Sequence, residues 1–181
     1  MNSPKKNGRK TLLMLVLAFT VPVVAAKIIL NFELYNGGAT NKGELLDIGI
    51  NYQSLDMRNP QPKEWQVLYQ LPAICNTTCQ DRLYILQQSN IALGRNQDRV
   101  HTIIMLDEQS DRTALVAYDF TTATPTLALS RLLNNQEFII VDPLGSMVMR
   151  YPIATDHQAQ IMQGKSIIAD LRKMLKLSRI G

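Results

Sequence analysis

Residues 65–79, WQVLYQLPAICNTTC, join a short apolar run to the two cysteines of the chain, and this stretch decides the fold. The first eight residues are rich in aromatic and branched side chains and end at Pro72, which predicts a buried strand. The asparagine and threonines between Cys75 and Cys79 are residue types that cap helices, so we expect a helix to begin inside the motif. The stretch therefore predicts a strand that leads into a helix with both sulfurs at the junction.

The sequence beyond the cysteines alternates between helical and strand patterns. Leu83, Leu86 and Leu93 have helical spacing and are followed by Gly94, which predicts a helix of about four turns. Residues 99–106, RVHTIIML, predict a second apolar strand, and residues 112–118 suggest a short helix.

The last third of the chain predicts a hairpin and a final helix. The turn sequence DPLG at 142–145 separates apolar runs at 138–141 and 147–151, which is typical of a β-hairpin. In residues 161–177, a stripe formed by Ile161, Ile168, Leu171 and Leu175 predicts an amphipathic helix. The order strand, helix, strand, helix, hairpin, helix predicts an α/β domain with a thioredoxin-like central sheet and flanking helices.

The N-terminus predicts a membrane anchor. A basic tail, residues 1–11, precedes an apolar segment, residues 12–32, which is close to the roughly 20 residues that span a bilayer as a helix. A cleavable signal peptide, with small residues at 24–26, is the alternative interpretation. Residues 33–62 are expected to form an irregular linker and lead-in, and residues 63–181 the thioredoxin-like domain.

The charge distribution separates the tail from the rest of the chain. The net charge is +4, and the tail holds four of the 19 basic residues, so the remaining 15 balance the 15 acidic ones. A basic nucleic-acid-binding domain is therefore disfavoured. Positive charge holds a tail in the cytoplasm, so in a bacterium the domain is expected to face the periplasm from a single-pass inner-membrane anchor. Disulfides persist in that compartment.

The cysteine spacing allows several chemistries. Cys75 is expected to be the more exposed, nucleophilic sulfur, because the positive end of a helix dipole stabilises a thiolate. Cys79 lies one helical turn on, so the sulfurs can meet in a disulfide or across a metal ion. A purely structural disulfide is a weaker alternative, since so small a loop adds little stability. Two unrelated core cysteines are also a weaker alternative, because their place and spacing would then be a coincidence.

These residues together resemble the Sco family, the membrane-anchored, thioredoxin-fold proteins that help assemble the copper site of cytochrome c oxidase. The resemblance covers residues 63–177 and the anchor. It rests on the C-x-x-x-C pair after EWQVLYQLP, on DEQSD after HTIIML with Tyr118 following, and on IIVDPLG before the final helix. It implies that Cys75 and Cys79 are the catalytic thiols and ligands for copper.

The chain departs from the family at the third copper ligand. Counting back from Pro143, the position of the family's histidine holds Asn134, and Asn76 replaces the proline that often follows the first cysteine. The two histidines of the chain are expected elsewhere: His101 on an apolar strand and His157 in a solvated polar loop. Met105, Met147 and Met149 are expected to pack in strands, and Trp65 in the core.

The leading hypothesis is therefore a periplasm-facing Sco-like factor for assembly of cytochrome c oxidase. Cys75 and Cys79 would reduce a disulfide in a partner to thiols and handle copper weakly, with the third ligand unidentified. The expected partners are the membrane and either an oxidase subunit or another assembly factor. A general periplasmic thiol-disulfide oxidoreductase and a non-catalytic membrane interaction protein are the alternatives.

Overall fold

The computed structural model describes residues 8–31, 40–133, 136–178 and 180. The chain divides after residue 40 into two compact units, which are described separately. In the first unit, helix α1 spans Gly8–Asn31 and contains Pro22. Its stretch from Gly8 to Ile29 is long and apolar enough to cross a membrane. The apolar segment expected from the sequence is thus a single helix of spanning length.

The second unit is built on one mixed sheet. Within residues 40–133 and 136–178, the sheet has six strands in the order β1-β6-β5-β2-β3-β4. The strands are β1 Glu44–Leu45, β2 Trp65–Gln70, β3 Val100–Met105, β4 Thr121–Ala123, β5 Phe138–Val141 and β6 Met147–Tyr151. The helices are α2 Thr77–Ala92, α3 Leu127–Leu132 and α4 His157–Leu177.

The central position of β2 explains its apolar sequence. It pairs in parallel with β3 and antiparallel with β5, and its first five residues are all buried. A strand covered on both faces reads as a nearly continuous apolar run rather than as an alternation. The β5–β6 hairpin pairs Phe138 with Tyr151, as the turn sequence predicts.

Alternate residues of the strands feed two cores, one on each face of the sheet. Tyr69 of β2 packs in the core that α2 and α4 cover, through side chains such as Leu83 and Leu171. Leu68 faces the other core, which Leu129 of α3 and the lead-in residue Tyr52 cover. The thioredoxin-like sheet with helices on both faces is therefore confirmed.

Several sequence predictions need correction. Strand β4 and helix α3 are not anticipated by the sequence pattern, and residues 112–118 form only a 3-10 turn at Arg112–Leu115. On α4, the fully buried stripe is formed by Gln160, Gly164, Ile167, Asp170, Leu171 and Leu175, while Ile161 and Ile168 are half-buried. The stripe is displaced because Gly164 lets α4 approach α2 closely: a Cβ there would lie 2.8 Å from Ile85 Cγ2.

The lead-in is tied to the domain by a buried carboxylate. Asp170 on α4 is 1% exposed, and its Oδ2 accepts hydrogen bonds from the backbone N–H groups of Lys42, at 2.6 Å, and Gly43, at 3.0 Å. The Tyr151 hydroxyl donates to the same oxygen at 2.8 Å. A Cβ on Gly43 would meet Met149 Cγ at 2.6 Å, so this close approach requires glycine. We call residues 41–45, which end in β1, the arm.

Candidate functional site

The cysteine motif lies where β2 gives way to α2. Asn76 caps the helix: it has an extended backbone, and its Oδ1 accepts a hydrogen bond from the Cys79 N–H at 3.0 Å. The helix begins at Thr77, so the prediction that it starts inside the motif is confirmed. The cap satisfies one of the N–H groups that a helix N-terminus leaves without a partner.

The two sulfurs are joined in a disulfide. The Cα atoms of Cys75 and Cys79 lie 5.1 Å apart. Cys75 is 8% exposed and Cys79 is fully buried, which is the order of accessibility that the sequence predicts. Both cysteines belong to the buried core on this face of the sheet, whereas Ile74, 79% exposed, and Asn76 next to Cys75 lie at the molecular surface. In the reduced state, therefore, an external group would reach Cys75 before Cys79.

The loop after β3 packs against the cysteine loop. Ser110 Oγ donates to the Leu71 carbonyl at 2.8 Å, and the Asp111 N–H donates to the Pro72 carbonyl at 2.9 Å. Asp111 Oδ2 in turn accepts from the Cys75 N–H at 3.3 Å. Because parallel strands end at the same edge of a sheet, the segments after β2 and β3 meet there. The DEQSD segment thus supports the disulfide directly.

Asp111 also brings a negative charge to the motif. The hydrogen bond from the Thr113 hydroxyl, together with that from the Cys75 N–H, lowers the pKa of the Asp111 carboxyl, because both bonds favour its ionised form. This carboxylate opposes the effect of the helix dipole on a Cys75 thiolate. The sequence singles out DEQSD only by resemblance. The effect of the Asp111 charge on Cys75 becomes visible only from the contact between the two residues in the structure.

The core next to the motif contains a buried cation that the sequence does not reveal. Arg82, one turn beyond Cys79, is fully buried, and its guanidinium lies 3.8 Å from the ring centroid of Phe138. It donates to the Gln136 carbonyl at 2.6 Å and to Gln163 Oε1 at 3.1 Å. Burial lowers the pKa of Arg82 to about 10, so it stays charged at neutral pH. An arginine in an otherwise ordinary helix pattern gives no signal of burial.

The donor set does not complete a three-ligand copper site. Among the described residues, no group of three or more His, Cys, Asp or Glu side chains is placed to hold a metal ion. His101 pairs in register with Gln66, near the start of β2, whereas Cys75 follows the end of that strand. His157 is exposed, and its Nδ1 lies 2.8 Å from Asp81 Oδ2. Asn134 lies outside the described residues.

The remaining candidate side chains pack as predicted. Met105, Met147 and Met149 are buried in the sheet, and Trp65 is buried in the core. None of them is available as a soft ligand next to Cys75 in the described part of the chain. The residues present therefore offer two sulfurs, already bonded to each other, and do not fit the three-ligand arrangement.

Comparison with known families gives the class of the protein. A family model described as "transmembrane-like, thioredoxin-like, C-terminal domain" matches residues 65–178, which contain the whole motif and most of the sheet. The chain belongs to this family. Together with α1, the match fits a single-pass membrane protein. No curated protein matches the chain.

One solved structure supports the fold, and two others are more distantly similar. The apo Sco1 protein from Thermus thermophilus is similar, with a TM-score of 0.53 and 14% identity, over 76% of this chain and 99% of that one. Copper-bound ScoI from Arabidopsis thaliana has a TM-score of 0.45 and 16% identity, and the match covers 62% of this chain and 87% of that one. A putative protein disulfide isomerase from Bacteroides thetaiotaomicron has a TM-score of 0.46 and 13% identity, and the match covers 75% of this chain and 94% of that one.

Proposed function

We propose that the chain is a membrane-anchored, Sco-like factor that assists assembly of cytochrome c oxidase through thiol-disulfide exchange at Cys75 and Cys79. One observation supports this most directly: the two sulfurs meet at the start of α2, with Cys75 on the outer side. A disulfide that only stabilised the fold would not need this placement. The resemblance to Sco proteins supplies the oxidase as the target of the exchange.

In the proposed exchange, the reduced Cys75 and Cys79 pass two electrons to a partner and end as the disulfide seen in the structure. In the reduced protein, the Cys75 thiolate attacks one sulfur of a partner's disulfide, and a mixed disulfide forms as the partner's second sulfur leaves and takes a proton. Cys79 then gives up its proton and attacks Cys75, which releases the second partner thiol. The partner gains two electrons and two protons, and the Cys75–Cys79 disulfide is restored. A dithiol donor from the same compartment must reduce it again.

Copper handling remains a weaker part of the proposal. Two thiolates are soft ligands that suit Cu(I), but they leave its coordination incomplete. Because the described donors do not supply the third ligand, we derive no copper-transfer step. The proposed role is to keep a partner's metal-binding cysteines reduced, with copper bound at most weakly by Cys75 and Cys79.

The proposed location follows from the tail and the disulfide. A basic tail before α1 favours a cytoplasmic N-terminus, which would place the domain in the periplasm of a bacterium. An oxidising compartment would also maintain the disulfide at Cys75 and Cys79. The bacterial inner membrane is therefore the proposed site of action.

The decisive experiment replaces each cysteine in the full-length protein. Cys79→Ser should accumulate a mixed disulfide with the partner, because Cys75 can attack but nothing resolves the adduct; Cys75→Ser should not. Thr77→Ser, a conservative change between the two cysteines, is the matched control. Cytochrome c oxidase assembly should fail in both cysteine variants and persist in the control. Normal assembly in the double variant Cys75→Ser/Cys79→Ser would instead identify a non-catalytic interaction protein.

The alternative function is a general periplasmic thiol-disulfide oxidoreductase. The same disulfide and the same helix N-terminus support it. Multiple turnovers on unrelated model disulfides, with oxidase assembly unaffected by loss of the protein, would favour the alternative. A single captured partner from the oxidase pathway would favour the assembly role.

A further inference from the structure

The exposed face of α4 is strongly basic. Arg172 lies about two turns after Lys165, and Lys176 about three turns after it, so the three side chains form one stripe along the helix. Lys173 is exposed beside them, and so is the apolar side chain of Met162, at 50%. The single acidic residue of α4 is Asp170, which is buried among the arm contacts.

The charge on this face is uneven relative to the rest of the domain. Charges beyond the N-terminal tail sum to zero, yet α4 alone carries four cations and one acid. The adjacent 3-10 turn, Gly94–Arg99, adds two arginines and one aspartate.

Helix stabilisation accounts for only part of this pattern. Arg172 donates to the Ala92 carbonyl at 2.7 Å and Arg99 to the Leu175 carbonyl at 3.2 Å, so these two groups satisfy helix C-termini. Lys165 lies in the middle of α4, where the helix dipole gives a cation little benefit. Within the described part of the chain, neither Lys165 nor Lys176 has an ion-pair partner.

The basic face leaves the cysteine motif open. Arg99 directly precedes β3 and contacts the C-terminal end of α4, so this end lies at the edge of the sheet where β3 begins. Cys75 follows the carboxyl end of β2, which runs parallel to β3, and therefore lies at the opposite edge. The stripe from Lys165 to Lys176 runs toward this end of α4, away from the end of the sheet that carries Cys75.

We propose that the exposed face of α4 docks on the anionic phospholipid headgroups of the bilayer that anchors the chain. Clusters of Lys and Arg near a membrane are attracted to anionic lipids. The anchor keeps the domain at high local concentration next to that surface, so that even weak contacts are populated. Met162 can add shallow apolar contact. Docking in this way would present the edge that carries Cys75 to partners.

The test measures lysine accessibility in the intact protein. Full-length protein is placed at one copy per lipid nanodisc, made either of phosphatidylcholine or of phosphatidylcholine with about a third phosphatidylglycerol. An amine-reactive ester then modifies lysines, and mass spectrometry gives the rate at each. Lys165 and Lys176 should react about threefold or more slowly in the anionic discs, and about 0.5 M salt should remove the difference. Lys63, in the lead-in before β2, is the internal control and should not change.

Charge reversal provides the second arm. In Lys165→Glu/Lys176→Glu, the reporter Lys173 should lose its lipid-dependent protection, whereas Lys63→Glu should leave it intact. Both variants change exposed residues, and thermal unfolding checks that each is folded. Equal rates in the two lipids, or protection that survives salt or charge reversal, would overturn the proposal. Protection that appears only with two copies per disc would instead assign the face to a second copy of the chain.

Discussion

Replacement of Asp170 by alanine should release the arm and destabilise the domain. The side chain is 1% exposed, and one carboxylate oxygen accepts three hydrogen bonds, from Lys42, Gly43 and Tyr151. Burial, together with the hydrogen bond to Asp170, raises the pKa of Tyr151 well above its ordinary value, so this hydroxyl stays a donor throughout the accessible pH range. Alanine would leave all three donors without their acceptor.

The expected magnitude follows from these contacts. A hydrogen bond to a charged group contributes about 1.5–3 kcal/mol, and bonds that share one acceptor are not additive. Each buried donor that is left without its acceptor costs about 1–3 kcal/mol. We therefore expect Asp170→Ala to cost about 4 kcal/mol. Asp170→Asn should cost about 1–2 kcal/mol, because the amide oxygen still accepts but has no full charge. Asp98→Ala, at an exposed position, should change stability by less than about 0.5 kcal/mol.

The assay uses the single tryptophan. Trp65 is buried in the domain core and α1 contains no tryptophan, so its fluorescence follows urea unfolding of the domain in the full-length, detergent-solubilised protein. Tryptic cleavage after Lys42 gives an independent readout of the arm. Asp170→Ala should lower the urea midpoint and speed tryptic cleavage after Lys42 under native conditions, because the backbone of the arm is no longer held in place. An unchanged midpoint, or cleavage at Lys42 as slow as in the wild type, would refute the argument.

Three further predictions concern the motif and its surroundings. Asp111→Asn should increase the rate at which reduced Cys75 reacts with iodoacetamide near neutral pH, because loss of a neighbouring negative charge favours the thiolate; an equal or slower rate would contradict this. Arg82→Lys should cost about 1.5–3 kcal/mol in urea unfolding, since lysine cannot stack on an aromatic ring while making both hydrogen bonds, and a neutral effect would refute that role. Reduction of the Cys75–Cys79 disulfide should lower the free energy of unfolding by about 2 kcal/mol, because the unfolded chain regains the entropy that the short closed loop had removed. An unaltered urea midpoint in dithiothreitol would show that the disulfide does not constrain the unfolded chain.

The sequence predicts the elements whose signals are local. The apolar run at Trp65, the cap at Asn76 and the turn before Gly145 each depend on residues within one or two turns, and all three elements form as expected. Helix α2 ends next to Gly94, which has a positive φ of 60° that glycine adopts readily. The spacing correctly predicts that Cys75 and Cys79 can meet, although Cys75 lies before the cap residue Asn76 rather than on the helix itself.

The features that the sequence does not predict depend on distant parts of the chain. Strand β4 is three residues long, and its pairing with β3, rather than its composition, makes it a strand. Arg82 and Asp170 are charged residues that pattern analysis assigns to the surface, yet both are buried against partners far away in sequence. The contact of Asp111 with Cys75 spans 36 residues and likewise has no local signal.

Asn76 is an exposed helix cap between the two cysteines, and the next two residues are threonines. An asparagine with threonine two positions on is an acceptor for N-linked sugars in the eukaryotic secretory route. Its Oδ1 is engaged by the Cys79 N–H, whereas a glycan would attach through the amide nitrogen. Protein secreted from eukaryotic host cells would thus carry a bulky carbohydrate next to Cys75, which would shield the sulfur from other polypeptides. Material for redox assays should therefore be produced in hosts that lack this modification.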